Sequence, residues 1–193
     1  MKIRETFRLI GTDIERYAEF NGLRLSLLKK ISIFLMPCIL CVAFQRLSYY
    51  CFLRNWHLVS RFFWTLNIVL FAADITPYTQ IGSHFYMPHP TGIGLMAKIG
   101  NRCTVYVQVG IAGRKNKDIG AGKGAPILGD DVVVGAFAKI IGPIRIGNNV
   151  SIGPGSLVTK GAPDNVILYG VPAKIVRHKK TGAGASSATE EPA

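Results

Sequence analysis

Residues 135–158 read "GAFAKIIGPIRIGNNVSIGPGSLV", and an aliphatic residue returns in this stretch at every sixth position. The same period reaches back to residue 75, in two series separated by a change of phase. The aliphatic positions are Ile75, Ile81, Met87, Ile93, Ile99, Val105 and Ile111 in the first series and Leu128, Val134, Ile140, Ile146, Ile152 and Val158 in the second. Helices repeat every 3.6 residues and strands every two, so neither explains this period.

A fixed six-residue period predicts a parallel β-helix, in which each hexad forms one side and three hexads close a triangular turn. The aliphatic residues are expected to point into the prism. Glycine directly follows seven of the thirteen, and we expect it to turn the corner, where a positive φ would make a Cβ costly. The prediction divides the chain into a helical segment (1–73), the β-helix (74–163), a C-terminal cap (164–180) and a disordered tail (181–193).

The sixfold register breaks once, because seventeen residues separate Ile111 from Leu128. About eleven extra residues therefore leave the β-helix here, and we predict a loop over residues 112–127. Its sequence is polar, rich in glycine and basic. A loop on a regular solenoid is a common place for function, and the alternative is a tolerated surface insertion.

The formal charge is +12, spread over both halves of the chain. Such a surplus suits phosphate-bearing small molecules or anionic membrane surfaces. Nucleic acid is not an expected partner, because the sequence has no recognition helix, RNA-binding aromatic pattern or zinc-finger spacing. Cys38 and Cys41 have metal-like spacing, but no second pair completes a site. We expect all four cysteines to be buried thiols in a reducing compartment.

Two apolar runs, residues 31–44 and 62–73, are shorter than the roughly 20 residues that span a bilayer. Arg46, Arg54 and Arg61 would lie close together on a helical wheel. This pattern favours helices that lie on a membrane or pack on a partner. No signal peptide is evident, so the predicted location is the cytoplasm, with peripheral association at the inner face of the cell membrane as the alternative.

The hexads, the loop and the ending "GVPAKIV" (170–176) resemble the hexapeptide-repeat acyltransferases, and in particular the serine acetyltransferase-like branch. The resemblance covers about residues 72–177. The helical segment looks more like that of acetyltransferases from exopolysaccharide and capsule gene sets. The resemblance implies a left-handed β-helix, a homotrimer, acetyl-CoA as acyl donor and no metal.

The resemblance also implies roles for individual residues. The histidine of "HPTG", His89, matches the family's general base, and Asp74, fifteen residues earlier, matches the carboxylate that pairs with it. A carboxylate in that position fixes the imidazole tautomer and stabilises the imidazolium. Further positions match the wall that binds the pantetheine arm or offer cations for the phosphates: Gly113, Ala136, Gly153, Lys139 and Lys160.

The sequence departs from the family pattern at the acceptor side. Pro88 stands where serine acetyltransferases have an aspartate, and residues 124–126 replace an Arg-His-Pro. We therefore predict transfer to a sugar hydroxyl, on a lipid-linked saccharide in exopolysaccharide or capsule biosynthesis. One alternative is a serine O-acetyltransferase, and another is a non-catalytic β-helix scaffold. A zinc site on His84 and His89 would need a third histidine on a neighbouring turn, which the sequence does not supply.

Overall fold

The computed structural model describes residues 2–113 and 116–180. Four helices come first: α1 (Ile3–Phe20), α2 (Leu27–Phe34), α3 (Pro37–Leu53) and α4 (His57–Phe71). Ser26 caps α2 by accepting a hydrogen bond from the Lys29 N–H, and a proline opens α3, where its missing N–H costs nothing. The predicted tail, residues 181–193, lies outside the described residues.

Fourteen short strands follow the helices in the described part of the chain. They are β1 (Asp74–Ile75), β2 (Gln80–Ile81), β3 (Gly94–Leu95), β4 (Lys98–Ile99), β5 (Thr104–Val105), β6 (Gly110–Ala112), β7 (Ile127–Leu128), β8 (Val133–Val134), β9 (Lys139–Ile141), β10 (Arg145–Ile146), β11 (Ser151–Ile152), β12 (Leu157–Val158), β13 (Val166–Tyr169) and β14 (Lys174–His178).

From β1 to β13, each strand belongs to a different sheet from the strand before it. Sheet A has the order β1-β3-β6-β9-β12, sheet B the order β10-β7-β4-β2, and sheet C the order β14-β13-β11-β8-β5. Every pairing is parallel except that of β13 with β14. The prediction of parallel β-structure behind a helical segment is therefore confirmed. The three sheets form the sides of a prism, which we call the three-sheet prism.

The sixfold aliphatic positions fill the inside of this prism. Twelve of the thirteen are at most 2 % exposed, and they share one continuous core. Ile81 is the exception, since it is partly buried and packs against the edge of that core. The period of six thus identifies the residue of each hexad whose side chain is buried.

The glycines beside these aliphatic residues have a different role from the predicted one. Gly82, Gly100, Gly129 and Gly147 lack a positive φ. They lie above one another on successive turns, and a Cβ on Gly82 would come within 2.5 Å of the Gly100 carbonyl oxygen. The left-handed conformation occurs two residues later instead, at residues such as Arg102, Asp131 and Asn149. Glycine is required here by close approach of the backbones, and not by backbone conformation.

A buried ion pair joins the helices to the prism. Arg46 of α3 donates from Nε and Nη2 to the carboxylate of Asp13 in α1, at 2.6 and 2.9 Å, and also to the carbonyl oxygens of Ile81 and Gly82. Asp13 in turn accepts from the Phe85 N–H at 2.9 Å. The expectation that Arg46 lies on a surface with Arg54 and Arg61 is wrong, because Arg46 is only 3 % exposed.

The chain leaves the prism between β6 and β7, and residues 114 and 115 of this loop lie outside the described residues. Within the loop, Asp118 accepts hydrogen bonds from the N–H groups of Gly120 and Gly122. These bonds lower the pKa of the Asp118 carboxyl. Arg145 of β10 donates to the Ile119 carbonyl oxygen at 2.7 Å, which fastens the loop to the prism.

Among the described helices, no single one is long and apolar enough to cross a bilayer. Helices α2 and α3 reach that length and composition only together, and their axes differ by 78°.

Candidate active site

His89 lies at the corner where the chain passes from sheet C to sheet A, between Tyr86 and the start of β3. Its side chain is exposed. A turn follows directly, in which the Ile93 N–H donates to the Pro90 carbonyl oxygen at 3.3 Å. Gly92 has a φ of +71° in this turn, and a Cβ there would come within 2.9 Å of Gln108. The glycine of "HPTG" therefore allows the turn that presents His89.

A cavity of about 770 Å³ opens beside His89. Its walls come from the corner of the prism and from the helical segment, which supplies Tyr17, Asn21, Cys38, Val69 and Leu70. These residues are not predicted from the sequence, because no local pattern marks them. They reach His89 only because α1 and α3 fold back onto the first turn of the prism.

Apart from His89, the polar side chains that line this cavity are uncharged. Tyr17 and Asn21 of the helical segment face Tyr86 of the prism, and the Tyr86 ring packs edge to face on Tyr17 with centroids 6.1 Å apart. Burial raises the pKa of Tyr86, so its hydroxyl stays protonated near neutral pH. Among the described residues that line the cavity, none is an aspartate or glutamate.

Asp74 begins β1, directly after α4. Two backbone bonds tie this segment to the chain that follows His89: Gly92 N–H to the Ala72 carbonyl oxygen at 2.9 Å, and Asp74 N–H to the Ile93 carbonyl oxygen at 2.8 Å. The Asp74 carboxylate accepts from Trp64 Nε1 at 2.9 Å. The structure records no hydrogen bond between the side chains of Asp74 and His89. The two chain segments are therefore adjacent, but the predicted hydrogen bond between Asp74 and His89 is not formed.

A strip of sheet A without side chains runs beside this corner. Asp74 pairs in register with Gly94, Gly94 with Gly110, and Gly110 with Lys139. The Lys139 side chain lies back over Gly110, and its ammonium donates to the Gln108 carbonyl oxygen at 2.7 Å. The strip is therefore a shallow floor with a carboxylate at one end and an ammonium at the other.

The five residues predicted for acetyl-CoA divide between two corners. Ala136 and Gly153 lie at the same corner as His89, between sheets C and A, and Lys139 starts the sheet A strand just after it. Backbone bonds link this corner from turn to turn, from Gln108 N–H to Thr91 and from Gly155 N–H to Ala136. Gly113 and Lys160 follow β6 and β12 and lie at the corner between sheets A and B. The structure does not bring these two to His89.

The histidines of the zinc alternative face different surroundings. The His84 backbone N–H donates to Thr12 of α1, and its Nε2 lies 3.8 Å from a Glu15 carboxylate oxygen. His89 instead lines the cavity. Within residues 2–113 and 116–180, no group of three or more His, Cys, Asp or Glu side chains could hold a metal ion.

Comparison with known proteins identifies the repeats. Residues 125–160 match the family model "Bacterial transferase hexapeptide (six repeats)". The serine acetyltransferase of Mycobacterium tuberculosis is 32% identical over 154 residues, which cover 79% of this chain and 66% of that relative. The chain spans about half to two thirds of the length of the curated relatives that it matches.

Solved structures give the same result. Serine acetyltransferase of Neisseria gonorrhoeae in complex with serine has a TM-score of 0.78 and 26% identity, over 89% of this chain and 69% of that one. A serine acetyltransferase in complex with CoA has a TM-score of 0.78 over 90% of this chain and 70% of that one, and its 24% identity supports the fold alone.

The parallel three-sheet prism and the matched repeats place the chain in the hexapeptide transferase family. Within that family, the chain is serine acetyltransferase-like.

These comparisons overturn one prediction. Transfer to a sugar hydroxyl in exopolysaccharide or capsule biosynthesis is wrong as the leading interpretation, because the similar proteins are serine acetyltransferases. The prediction relied on Pro88 and on the apolar helices. Both features are present, but the overall similarity, which includes the helical segment in the structural match, favours the serine alternative.

Proposed function

We propose that the protein is an acetyl-CoA-dependent serine O-acetyltransferase in which His89 is the general base. The observation that carries this proposal is the position of His89, exposed at the rim of a cavity, in a chain similar to serine acetyltransferases over most of its length. A base needs access to the acceptor hydroxyl, and a cavity of this size has room for a free amino acid.

The reaction follows from these roles. An imidazole nitrogen of His89 takes the proton of the serine hydroxyl as that oxygen attacks the thioester carbonyl carbon of acetyl-CoA. The tetrahedral intermediate then collapses, and the carbon–sulfur bond breaks. The departing thiolate receives the proton from His89, so the products are O-acetylserine and CoA, and the base is restored.

Asp74 is proposed as the positioning residue for His89. Its carboxylate is already oriented by the Trp64 N–H, and its backbone is tied to the segment that carries His89. This role requires the Asp74 carboxylate to turn toward the His89 imidazole. Hydrogen bonds of this kind are often long in unliganded enzymes and shorten only with substrate bound.

The acyl donor is proposed to bind along the sheet C–A corner. There Gly94 has open space above it for part of a pantetheine arm, and Lys139, whose side chain lies over Gly110, offers a cation to a phosphate. Ala136 and Gly153 belong to this corner. The donor-binding role of Gly113 and Lys160 stays a prediction. They lie at the neighbouring corner, so they could contact only a donor that is bound between this chain and a second copy.

We further infer that the prism is a left-handed β-helix and that the protein is a homotrimer. The hexapeptide repeats support the handedness. The trimer would cover exposed rings on the prism, of which Phe137 and Tyr169 are more than half exposed. Light scattering on the purified protein would measure the mass, and a monomeric mass would contradict this inference.

The acceptor is tested with the parent protein, acetyl-CoA and a thiol reagent that detects released CoA. We expect release that depends on L-serine, with O-acetylserine identified by mass spectrometry. The control is acetyl-CoA without acceptor, which measures hydrolysis. Release that does not depend on serine, or serine recovered without an acetyl group, would contradict the proposal.

A further inference from the structure

Helix α2 exposes an apolar surface close to the cavity. Leu27 and Leu28 are 75% and 80% exposed, and Ile31, Leu35 and Met36 continue the surface to the start of α3. Ile33 points the other way and is buried. We call these five exposed residues the α2 surface. A short helix with one buried residue and several large exposed side chains has an unpartnered apolar face.

The α2 surface belongs to a stretch of the chain in which every formal charge is positive. Between residues 20 and 73 the sequence holds six lysines and arginines and not one aspartate or glutamate. Arg24, Lys29 and Lys30 belong to this stretch, and all three are exposed at or beside α2. In contrast to Arg46, none of these three has a carboxylate within ion-pair distance among the described residues.

The α2 surface meets the cavity at its end. Met36 lines the cavity together with Val69 and Leu70 of α4, which are 72% and 58% exposed. The mouth of the cavity is therefore flanked by exposed apolar side chains on both sides. An occupant of the α2 surface would lie beside the opening through which the acceptor enters.

We propose that the α2 surface binds the face of an anionic lipid bilayer. Leucines that enter the headgroup region and lysines that meet lipid phosphates are the combination that holds amphipathic helices on membranes. A symmetric contact with a second copy fits less well, because it would place the same unpaired cations against each other. The proposal does not depend on the identity of the acceptor.

The test is co-sedimentation of the full chain with vesicles. We expect binding to phosphatidylcholine vesicles that contain phosphatidylglycerol, at least about tenfold weaker binding to pure phosphatidylcholine, and weaker binding as salt rises. Leu28→Asp should reduce binding to the anionic vesicles by at least about tenfold. The double variant Lys29→Glu, Lys30→Glu should remove most of the salt dependence, since each cation near such a surface contributes about fivefold.

Val176→Asp is the matched control, because Val176 is 61% exposed on β14, outside the α2 surface, and should leave binding unchanged. Absence of binding by the parent, or equal binding by Leu28→Asp, would overturn the proposal. A lower oligomer mass of Leu28→Asp, with no change in vesicle binding, would instead assign the surface to a second copy. Serine acetylation in solution should be the same in parent and Leu28→Asp, which separates this proposal from the proposed reaction.

Discussion

The residue beside His89 sets a limit on acceptor binding. Pro88 lines the cavity, and the described lining holds no carboxylate to pair with the ammonium group of serine. The hydroxyl can still reach His89, but the amino group has only neutral partners such as Asn21 and Tyr17. Serine should therefore bind weakly, with a high KM.

Pro88→Asp should lower the KM for serine by about ten- to a hundredfold and change kcat little, because a charge-assisted hydrogen bond contributes about 1.5–3 kcal/mol. Steady-state kinetics with serine as the varied substrate measures this effect. Pro88→Asn is the control: it has the same size without the charge and should leave KM near the parent value. Equal KM values for Pro88→Asp and Pro88→Asn would show that the ammonium group does not bind there.

Asp74→Asn should lower kcat by about ten- to a hundredfold and leave the KM for acetyl-CoA within about twofold, because a positioning residue acts on the transition state. Trp64→Phe, which removes the only hydrogen bond that the structure records on that carboxylate, should give a smaller loss. Asp131→Asn is the control, since Asp131 is exposed and pairs with Arg102 away from the cavity. A loss confined to KM would contradict the positioning role.

Among the structural elements, the prism depends on the stacked glycines more than on its turns. A Cβ on Gly129 would lie 2.5 Å from Asn148 Oδ1 and 2.8 Å from the Gly147 backbone. The left-handed turn positions have open space by comparison. Gly155 has a φ of +65° with nothing within 4 Å, and Asn149 occupies the equivalent position one hexad earlier.

Gly129→Ala should therefore lower the free energy of unfolding by about 2 kcal/mol or more, because the backbones of neighbouring turns cannot separate locally. Gly155→Asn should change it by less than about 1 kcal/mol, since asparagine tolerates a left-handed backbone. Urea unfolding followed by circular dichroism measures both. A larger loss for Gly155→Asn than for Gly129→Ala would show that glycine is needed for its left-handed backbone conformation, and not for close approach of the backbones.

The elements also show which features a sequence can predict. The parallel strands follow from a period of six that involves only neighbouring hexads, and all thirteen aliphatic positions pack against the predicted core. The placement of the helices does not follow in this way. Arg46 meets Asp13 across 33 residues and Gly82 across 36, and no local pattern encodes those partners.

The candidate site divides along the same line. His89 and Asp74 were identified from the sequence through a family resemblance, and the structure brings their segments together. Tyr17, Asn21 and Cys38 were not predicted, because they line the cavity only through the packing of helices on the first turn of the prism. Pro88 departs from the family pattern, and this departure led to the wrong prediction of a sugar acceptor.

At the scale of the whole molecule, all four cysteines are free and buried. Burial raises the pKa of each thiol, and it raises those of Cys41 and Cys103 to about 12. The unfolded chain would ionise the same thiols near pH 9. Stability should therefore be complete below that pH and fall as the pH rises from about 9 toward 12, because the unfolded state releases protons that the folded state keeps.

Two measurements check this prediction. At pH 8, a disulfide reagent should react with none of the thiols of the native protein within minutes, since only the thiolate reacts. In denaturant it should react with all four. The free energy of unfolding, measured by urea at pH 8, 9 and 10, should decline over the last step. Rapid reaction of one native thiol would identify an accessible cysteine, with Cys38 at the cavity as the first to examine.

Acyl transfer at this site depends on His89 as the base that activates the acceptor. The most direct measurement is CoA release from acetyl-CoA with saturating serine, comparing the parent with His89→Ala of equal thermal stability. We predict a fall in kcat of at least about a hundredfold, the usual range for a lost general base. A rate within about threefold of the parent would contradict the account.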